Sequence, residues 1–326
     1  MWRKDLLRAL PGILVSLITL VALIYFIDLD EVKNDLLKAD YRYLLPVLAL
    51  TVSALLTRAI AWRTLLLDAV PFQDVFFTLN AGYLLNNVLP LRLGELGRAL
   101  ILSRHGLGFW RVVSTILVER AFDFAIIAGM LLTILPFVTG ASQAYQVAIP
   151  VMGIVLLGLG IFYLIAVHRD RVLRVYELLM ERWPGFSLIG EDRLKSFITG
   201  LAALADVRRF LKVLFWMLIN WGLAILAQYL LLLAFYPSAE LRWIVFGQAV
   251  VALGVALPSA PAYIGLLEAA WVAALSLMGI EPSTVLAFAV SSHLVNITVT
   301  GFFGVYALIR EGESLLRLYT RMRTET

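Results

Sequence analysis

Leu84-Leu85-Asn86-Asn87-Val88-Leu89-Pro90-Leu91-Arg92-Leu93-Gly94-Glu95-Leu96-Gly97-Arg98 sets two asparagines, two arginines and a glutamate around a proline and two glycines. The surrounding chain is built for lipid. It is 61% hydrophobic and only 15% charged, with a mean hydropathy of +0.89, which places it among integral membrane proteins. A carboxylate or guanidinium at mid-bilayer costs about 2.5–3.5 kcal/mol on insertion scales. Irregular backbone survives at that depth only where protein or water lines it. The stretch therefore predicts a protein-lined polar cavity, formed where a helix breaks.

Around this stretch the apolar segments fall near 10–27, 44–66, 112–137, 147–167, 213–236 and 284–309, at roughly 20 residues per span. Two further stretches are apolar but interrupted: 75–102 at Pro90 and Gly94, and 243–279 at Pro258, Pro261 and Gly265. The arm from Val75 to Leu89 reaches only ~22 Å as a helix, short of the ~30 Å hydrocarbon core. Both interrupted stretches read as re-entrant helical hairpins or broken helices. The N-terminal run follows Arg3, Lys4 and Arg8 and ends at Asp28-Leu29-Asp30-Glu31 without a small-residue cleavage pattern. It is expected to be an uncleaved first span.

Charge fixes the expected orientation. Loop 28–43 is rich in acid, whereas loop 168–212 carries Arg169, Arg171, Arg174, Arg182, Arg193, Lys195, Arg208, Arg209 and Lys212. The positive-inside rule puts loop 168–212 in the cytoplasm, together with the N-terminus and the Arg310–Arg323 tail. Within that loop, Val172, Leu173, Val175, Leu179 and Met180 alternate with arginines at helical spacing, as in an interfacial helix or a solvated connector. Span 44–66, hairpin 75–102 and span 112–137 then form a unit that span 213–236, hairpin 243–279 and span 284–309 repeat upside down. The expected fold is all-α: a single transmembrane domain over 1–326, with about six full transmembrane helices plus two opposed re-entrant helical hairpins in an inverted repeat. Repeat one covers about 44–137 and repeat two about 213–309. Inverted repeats with broken helices build substrate sites in many transporters.

The candidate substrate-binding residues are Asn86, Asn87, Arg92, Glu95, Arg98, Glu119, Arg120, Asp123 and Glu268. Arg92, Glu95 and Arg98 are spaced three apart and can share a helix face, and Glu119 and Asp123 are four apart. Arginine's planar fork suits phosphate oxygens, so Arg92 and Arg98 are the expected phosphate contacts, with Arg120 nearby. Glu268 has no basic residue near it in sequence and is expected to be the unpaired carboxyl, whereas Glu95 lies between two arginines. Arg58 and Arg63 are expected to snorkel from a span end, and His293 to be a hydrogen-bonded packing residue. Each of these groups could instead simply pin the hairpins by mutual pairing.

Composition also excludes. Cysteine is absent and only three histidines are present, which argues against a disulfide framework or a Cys/His metal site. Neither a Walker loop nor an HExxH, GxSxG or kinase signature occurs. No cofactor or enzymatic activity is expected. The net charge of +4 belongs to membrane-flanking residues rather than to nucleic-acid binding.

The pattern N-x-x-x-P-x-R-x-G-E-x-x-R over Asn86–Arg98, then Glu119-Arg120-Ala121-Phe122-Asp123, then Pro258, Gly265 and Glu268 resembles the flippase-like transmembrane family named after lysylphosphatidylglycerol synthase. The resemblance covers nearly the whole chain. It implies movement of lipids between leaflets: aminoacylated phosphatidylglycerol in bifunctional members, polyprenyl-linked sugars in archaeal relatives. The sequence to Thr326 shows no aminoacyl-transferase domain, so translocation is expected here rather than synthesis. The expected function is a flippase or scramblase for a phosphate-containing lipid headgroup (anionic, aminoacylated or polyprenyl-linked) in the cell inner membrane. Two alternatives stay open: a subunit presenting lipid-linked substrate to a separate enzyme of lipid or glycan synthesis, or a proton-coupled small-anion transporter. Membrane lipids are the expected partners, and a homo-oligomer is left open.

A single cysteine at position 193 tests the topology. It should resist a membrane-impermeant maleimide added to intact cells and react after permeabilisation. Labelling from outside overturns the orientation.

Overall fold

Residues 2–89, 93–139, 141–182, 190–255 and 260–325 of a computed structural model fold into α-helices joined by turns, with no strand among them. The N-terminal arm is α1 (Trp2–Phe26) and α2 (Leu29–Lys38). Then follow α3 (Leu44–Leu65), α4 (Phe72–Val88), α5 (Gly94–Ser103) and α6 (Phe109–Thr139). The middle holds α7 (Ala141–Val167), α8 (Arg169–Arg182), α9 (Glu191–Gly200) and α10 (Ala202–Ala205). The second half holds α11 (Val207–Phe235), α12 (Leu241–Gly254), α13 (Leu266–Ser276) and α14 (Pro282–Arg310), then α15 (Leu315–Glu325). Both interrupted stretches are helical hairpins, α4–α5 and α12–α13. Their turns contain Pro90, Leu91, Arg92 and Pro258, which lie outside the described residues.

Against the six spans that hydropathy predicts, three helical segments among the described residues are long and apolar enough to cross a bilayer: Tyr41–Leu65, Val207–Phe235 and Pro282–Arg310. The number rises to five if two bent pairs each count as one span. The bends have local causes. α1 turns by 84° into α2 where the Asp28 carboxylate caps the Asp30 and Glu31 amides, a cap worth about 1 kcal/mol. α7 turns by 87° into α8, whose Val175, Leu178 and Leu179 stay exposed between arginines. α6 is 31 residues long but carries Glu119, Arg120 and Asp123 within it.

Helix packing repeats in pairs. α3 packs on α11; α4 packs on α14 as α12 packs on α6; α5 packs on α6 as α13 packs on α14. The two hairpins meet opposite ends of α14. Arg310, the last residue of α14, reaches Asp74 at the foot of hairpin one at 2.6 Å, and Arg104 pairs with Glu313 beyond it. Hairpin two instead leads directly into the start of α14, where Thr284 donates to Asp35 of α2 at 2.7 Å.

Lipid offers no hydrophobic drive for helices to associate, so close packing must supply it. Gly82 of α4 and Gly94 of α5 sit face to face: a β-carbon on Gly82 would lie 2.5 Å from Arg98 Cγ, and one on Gly94 would lie 2.6 Å from Asn86 Oδ1. The Asn86 side chain accepts the Gly94 N–H at 2.8 Å, so it caps the start of α5. Trp62, Leu65, Leu79 and Leu102 are buried around this crossing. In the other half Trp271 packs edge-on against Phe288 at 5.0 Å.

Gly94→Ala should cost about 1–3 kcal/mol through overpacking. Gly160→Ala, in open space, should be neutral or stabilising by up to about 1 kcal/mol. Thermal melts in detergent compare the two, and equal melts would remove the glycine crossing as a constraint.

Candidate functional site

Arg58 of α3 carries the site. Its Nε donates to Glu119 Oε1 at 2.6 Å, and its two terminal nitrogens donate to the two Asp123 oxygens at 2.6 Å each. Glu119 and Asp123 can share one cation because they lie four apart on α6, one above the other. Arg58 is 5% exposed and Glu119 fully buried. The expectation that Arg58 snorkels to the interface is overturned, because two buried carboxylates on the neighbouring helix compensate its charge. Arg63, one turn on, does sit at a helix end, bonded to the Val70 carbonyl and 3.6 Å from Asp68.

Arg98 is also differently placed from its expected role. It donates to Glu119 Oε2 at 2.6 Å, and its guanidinium lies 3.9 Å from the centroid of Trp62. The Trp62 indole N–H is spent on Thr115 at 3.1 Å. At 2% exposure Arg98 cannot touch a ligand in the cavity; it positions Glu119. Glu95, three residues before it and between two arginines in sequence, is instead within 3.5 Å of Asn86 Nδ2. Arg92 lies outside the described residues.

Arg120 is the exception among these arginines. Three guanidiniums here share two carboxylates, and Arg120 makes only the long contacts, 3.5 Å to Glu119 and 3.4 Å to Asp123. Its Nε has no hydrogen-bond partner among the described residues, and its side chain is 36% exposed. It faces a cavity of about 350 Å³ that Asn86, Asn87, Glu95 and Asp123 also line. Trp221 of α11 reaches the same cavity and donates to Asp123 at 3.0 Å.

The second hairpin closes the cavity from the other side. Glu268 Oε1 is 2.5 Å from His293 Nδ1 on α14, and Oε2 accepts the Gly265 N–H at 2.8 Å, which holds the first turn of α13. Glu268 is therefore paired, contrary to expectation. His293, Ser292 and Asn296 line the cavity, and Glu268 stands behind His293. Asn87 ties the hairpins' surroundings together by donating to Thr300 of α14 at 3.2 Å. Next to the cavity, Ala262 and Tyr263 take left-handed backbone conformations (φ 57° and 60°), a strain of about 1–3 kcal/mol each.

Residues 11–304 match the family described as Lysylphosphatidylglycerol synthase TM region. The chain belongs to this family. No curated protein and no solved structure matches it significantly. The family is that of a membrane domain linked to lipid headgroup handling, and here Asn86, Asn87, Glu95, Arg120 and Asp123 line one cavity. Sequence reasoning missed Arg58, Trp221 and His293 as parts of that cavity. Arg58 had a signal, because a carboxylate pair spaced i, i+4 in an apolar helix demands a buried cation. Asp74, His105 and Glu311 also approach one another within 4.8 Å outside the cavity, but Asp74 is already paired with Arg310, so the group is an ion-pair cluster of the hairpin foot.

Arg58→Gln removes three short bonds to buried carboxylates and leaves Asp123 only the Trp221 N–H and the long Arg120 contact, which should destabilise the fold by about 3–5 kcal/mol. Arg63→Gln, at a half-exposed pair, should change stability by no more than about 1 kcal/mol. Chemical denaturation in detergent separates the two, and comparable losses would remove Arg58 as the keystone.

Proposed function

We propose that the chain is a lipid flippase or scramblase, passing a phosphate-bearing headgroup through the polar cavity while the tails stay in the bilayer. Arg120 carries this reading. Like Arg98 it has an unspent Nε, but Arg120 is the one of the two that is 36% exposed and opens into the cavity that both hairpins border. A phosphate accepts parallel N–H bonds from such a fork. About 350 Å³ accommodates a headgroup but not two acyl chains, which fits transfer of the head alone. Asn86, Asn87 and Glu95 would then receive the hydroxyl or amino parts of the head.

The paired packing of helices and the meeting of the two hairpins with opposite ends of α14 support an inverted repeat. In that arrangement α1, α3, α6, α7, α11 and α14 span, and the hairpins enter from opposite leaflets. The basic residues of 168–212 and of α15 favour cytoplasmic placement of that loop and of both termini. The chain acts without chemical change to the lipid.

Arg120→Gln removes a charge-assisted contact worth about 1.5–3 kcal/mol, so lipid movement should fall tenfold or more while the melt stays close to native. Purified protein in liposomes, with tail-labelled phosphatidylglycerol and a tail-labelled polyprenyl phosphate, measures it. Native rates in a well-folded Arg120→Gln protein overturn the assignment.

A further inference from the structure

The Glu268–His293 pair is not needed to hold a phosphate, yet it is buried beside the cavity and touches its wall. Glu268 is 8% and His293 7% exposed. With the imidazole neutral the pair carries one negative charge; one added proton makes it neutral, whichever ring nitrogen held hydrogen beforehand. Inside a membrane the neutral state is the cheaper one unless a cation lies close. The cations lining the same cavity are Arg58 and Arg120, and Arg58 is already spent on Glu119 and Asp123. A phosphate that engages Arg120 removes that counter-charge, and the pair's least costly response is to take up a proton.

We propose that Glu268 and His293 form a proton-binding site that couples headgroup transfer to a proton gradient. The inference rests on the translocation reading above. The proton adds to a ring nitrogen or carboxylate oxygen of the pair on the acidic side and returns to water on the other, one proton per lipid, with no other bond made or broken.

The same pair reaches the backbone that must move. Glu268 Oε2 holds the Gly265 N–H, and Gly265 has φ +82°. A β-carbon there would stand 2.7 Å from the Ser16 carbonyl oxygen of α1, so the hairpin break is seated directly on α1. Ser16 Oγ also accepts the Ala260 N–H at 2.9 Å. A charge-assisted bond is roughly twice as strong as a neutral one, so a proton that settles on the Glu268 carboxyl slackens the grip on Gly265 in the turn that packs on α1. The titratable groups that line the cavity with His293 are Arg120, Asp123, Arg58, Glu95, Tyr83 and Tyr263. Among the described residues, α1 offers the hydroxyls of Ser16 and Thr19, and α12 the amide of Gln248. Asp35 of α2 is spent on Thr284, more than two turns nearer the start of α14.

The full chain in liposomes decides it, with tail-labelled phosphatidylglycerol, phosphatidylethanolamine and polyprenyl phosphate as probes and an imposed gradient of one pH unit. One coupled proton sustains up to about a tenfold leaflet asymmetry of the transported probe, whereas passive scrambling gives none. Glu268→Gln and His293→Gln should each abolish the asymmetry whatever their basal rate. If Glu268→Gln melts too low to reconstitute, His293→Gln carries the test, since it leaves the Gly265 hydrogen bond intact. Movement that ignores the gradient overturns the coupling alone, and asymmetry that survives in both variants overturns the pair as its site. No movement of any probe overturns the translocation reading and the coupling with it.

Discussion

A guanidinium gripped by two carboxylates inside an apolar bundle is a demanding constraint, and in this chain much else follows from the one at Arg58. Desolvating those charges costs several kcal/mol per ion, repaid only when geometry is close to ideal and the remaining lone pairs are satisfied. The repayment is visible: Arg58 spends all three of its nitrogens on Glu119 and Asp123, Arg98 takes the other Glu119 oxygen, and Trp221 donates to Asp123. These contacts draw α3, α5, α6 and α11 to one point. Arg98 can reach Glu119 only because Gly82 leaves room for its stem, and Gly82 faces Gly94 at the hairpin turn. The close crossing of α4 and α5 and the buried ion network are therefore one requirement, met by two glycines.

Around that buried network lies a more exposed rim. Arg58, Arg98 and Glu119, at 0–5% exposure, hold one another, whereas Arg120, Glu95 and Asn87 are only partly buried and line the cavity. The separation is physically sensible for a site that binds and releases. Buried, short-bonded charges fix geometry but are out of a ligand's reach, and partly paired ones at the rim bind at the expense of precision. Backbone strain at Ala262 and Tyr263 falls on the same cavity, at the hairpin break, where two alternative backbone arrangements would matter most.

What the sequence made legible was whatever is encoded locally. Proline, glycine and a short apolar arm mark both hairpins, and the structure breaks α4–α5 and α12–α13 within those segments. The carboxylate pair Glu119 and Asp123 follows from helical spacing alone. Partners in space were not legible. Arg58 lies 61 residues from Glu119 and Arg98 lies 21, while the nearer Glu95 was the obvious but mistaken choice. Spacing i, i+3 shows which groups share a face, not which face another helix covers. His293, 25 residues beyond Glu268, belongs to α14, which the packing of hairpin two against it brings near. Helix ends were legible too, since the apolar segments 10–27 and 147–167 stop where α1 and α7 turn by 84° and 87° into α2 and α8.

The resting state of Arg120 bears on how a transport site avoids becoming a trap. A bare guanidinium at this depth would be costly in the empty protein, and a phosphate bound to it would have little reason to leave. Arg120 avoids both extremes by resting against Glu119 and Asp123 at 3.5 and 3.4 Å, near enough for attraction and too long for strong hydrogen bonds. On the proposed reading, an arriving phosphate exchanges those weak contacts for stronger ones, and a departing phosphate returns Arg120 to partners that have not moved. They have not moved because Arg58 and Arg98 hold them. Binding strength at the rim is thus set by the difference between two pairings rather than by either one. That difference is the quantity a translocating site must keep small.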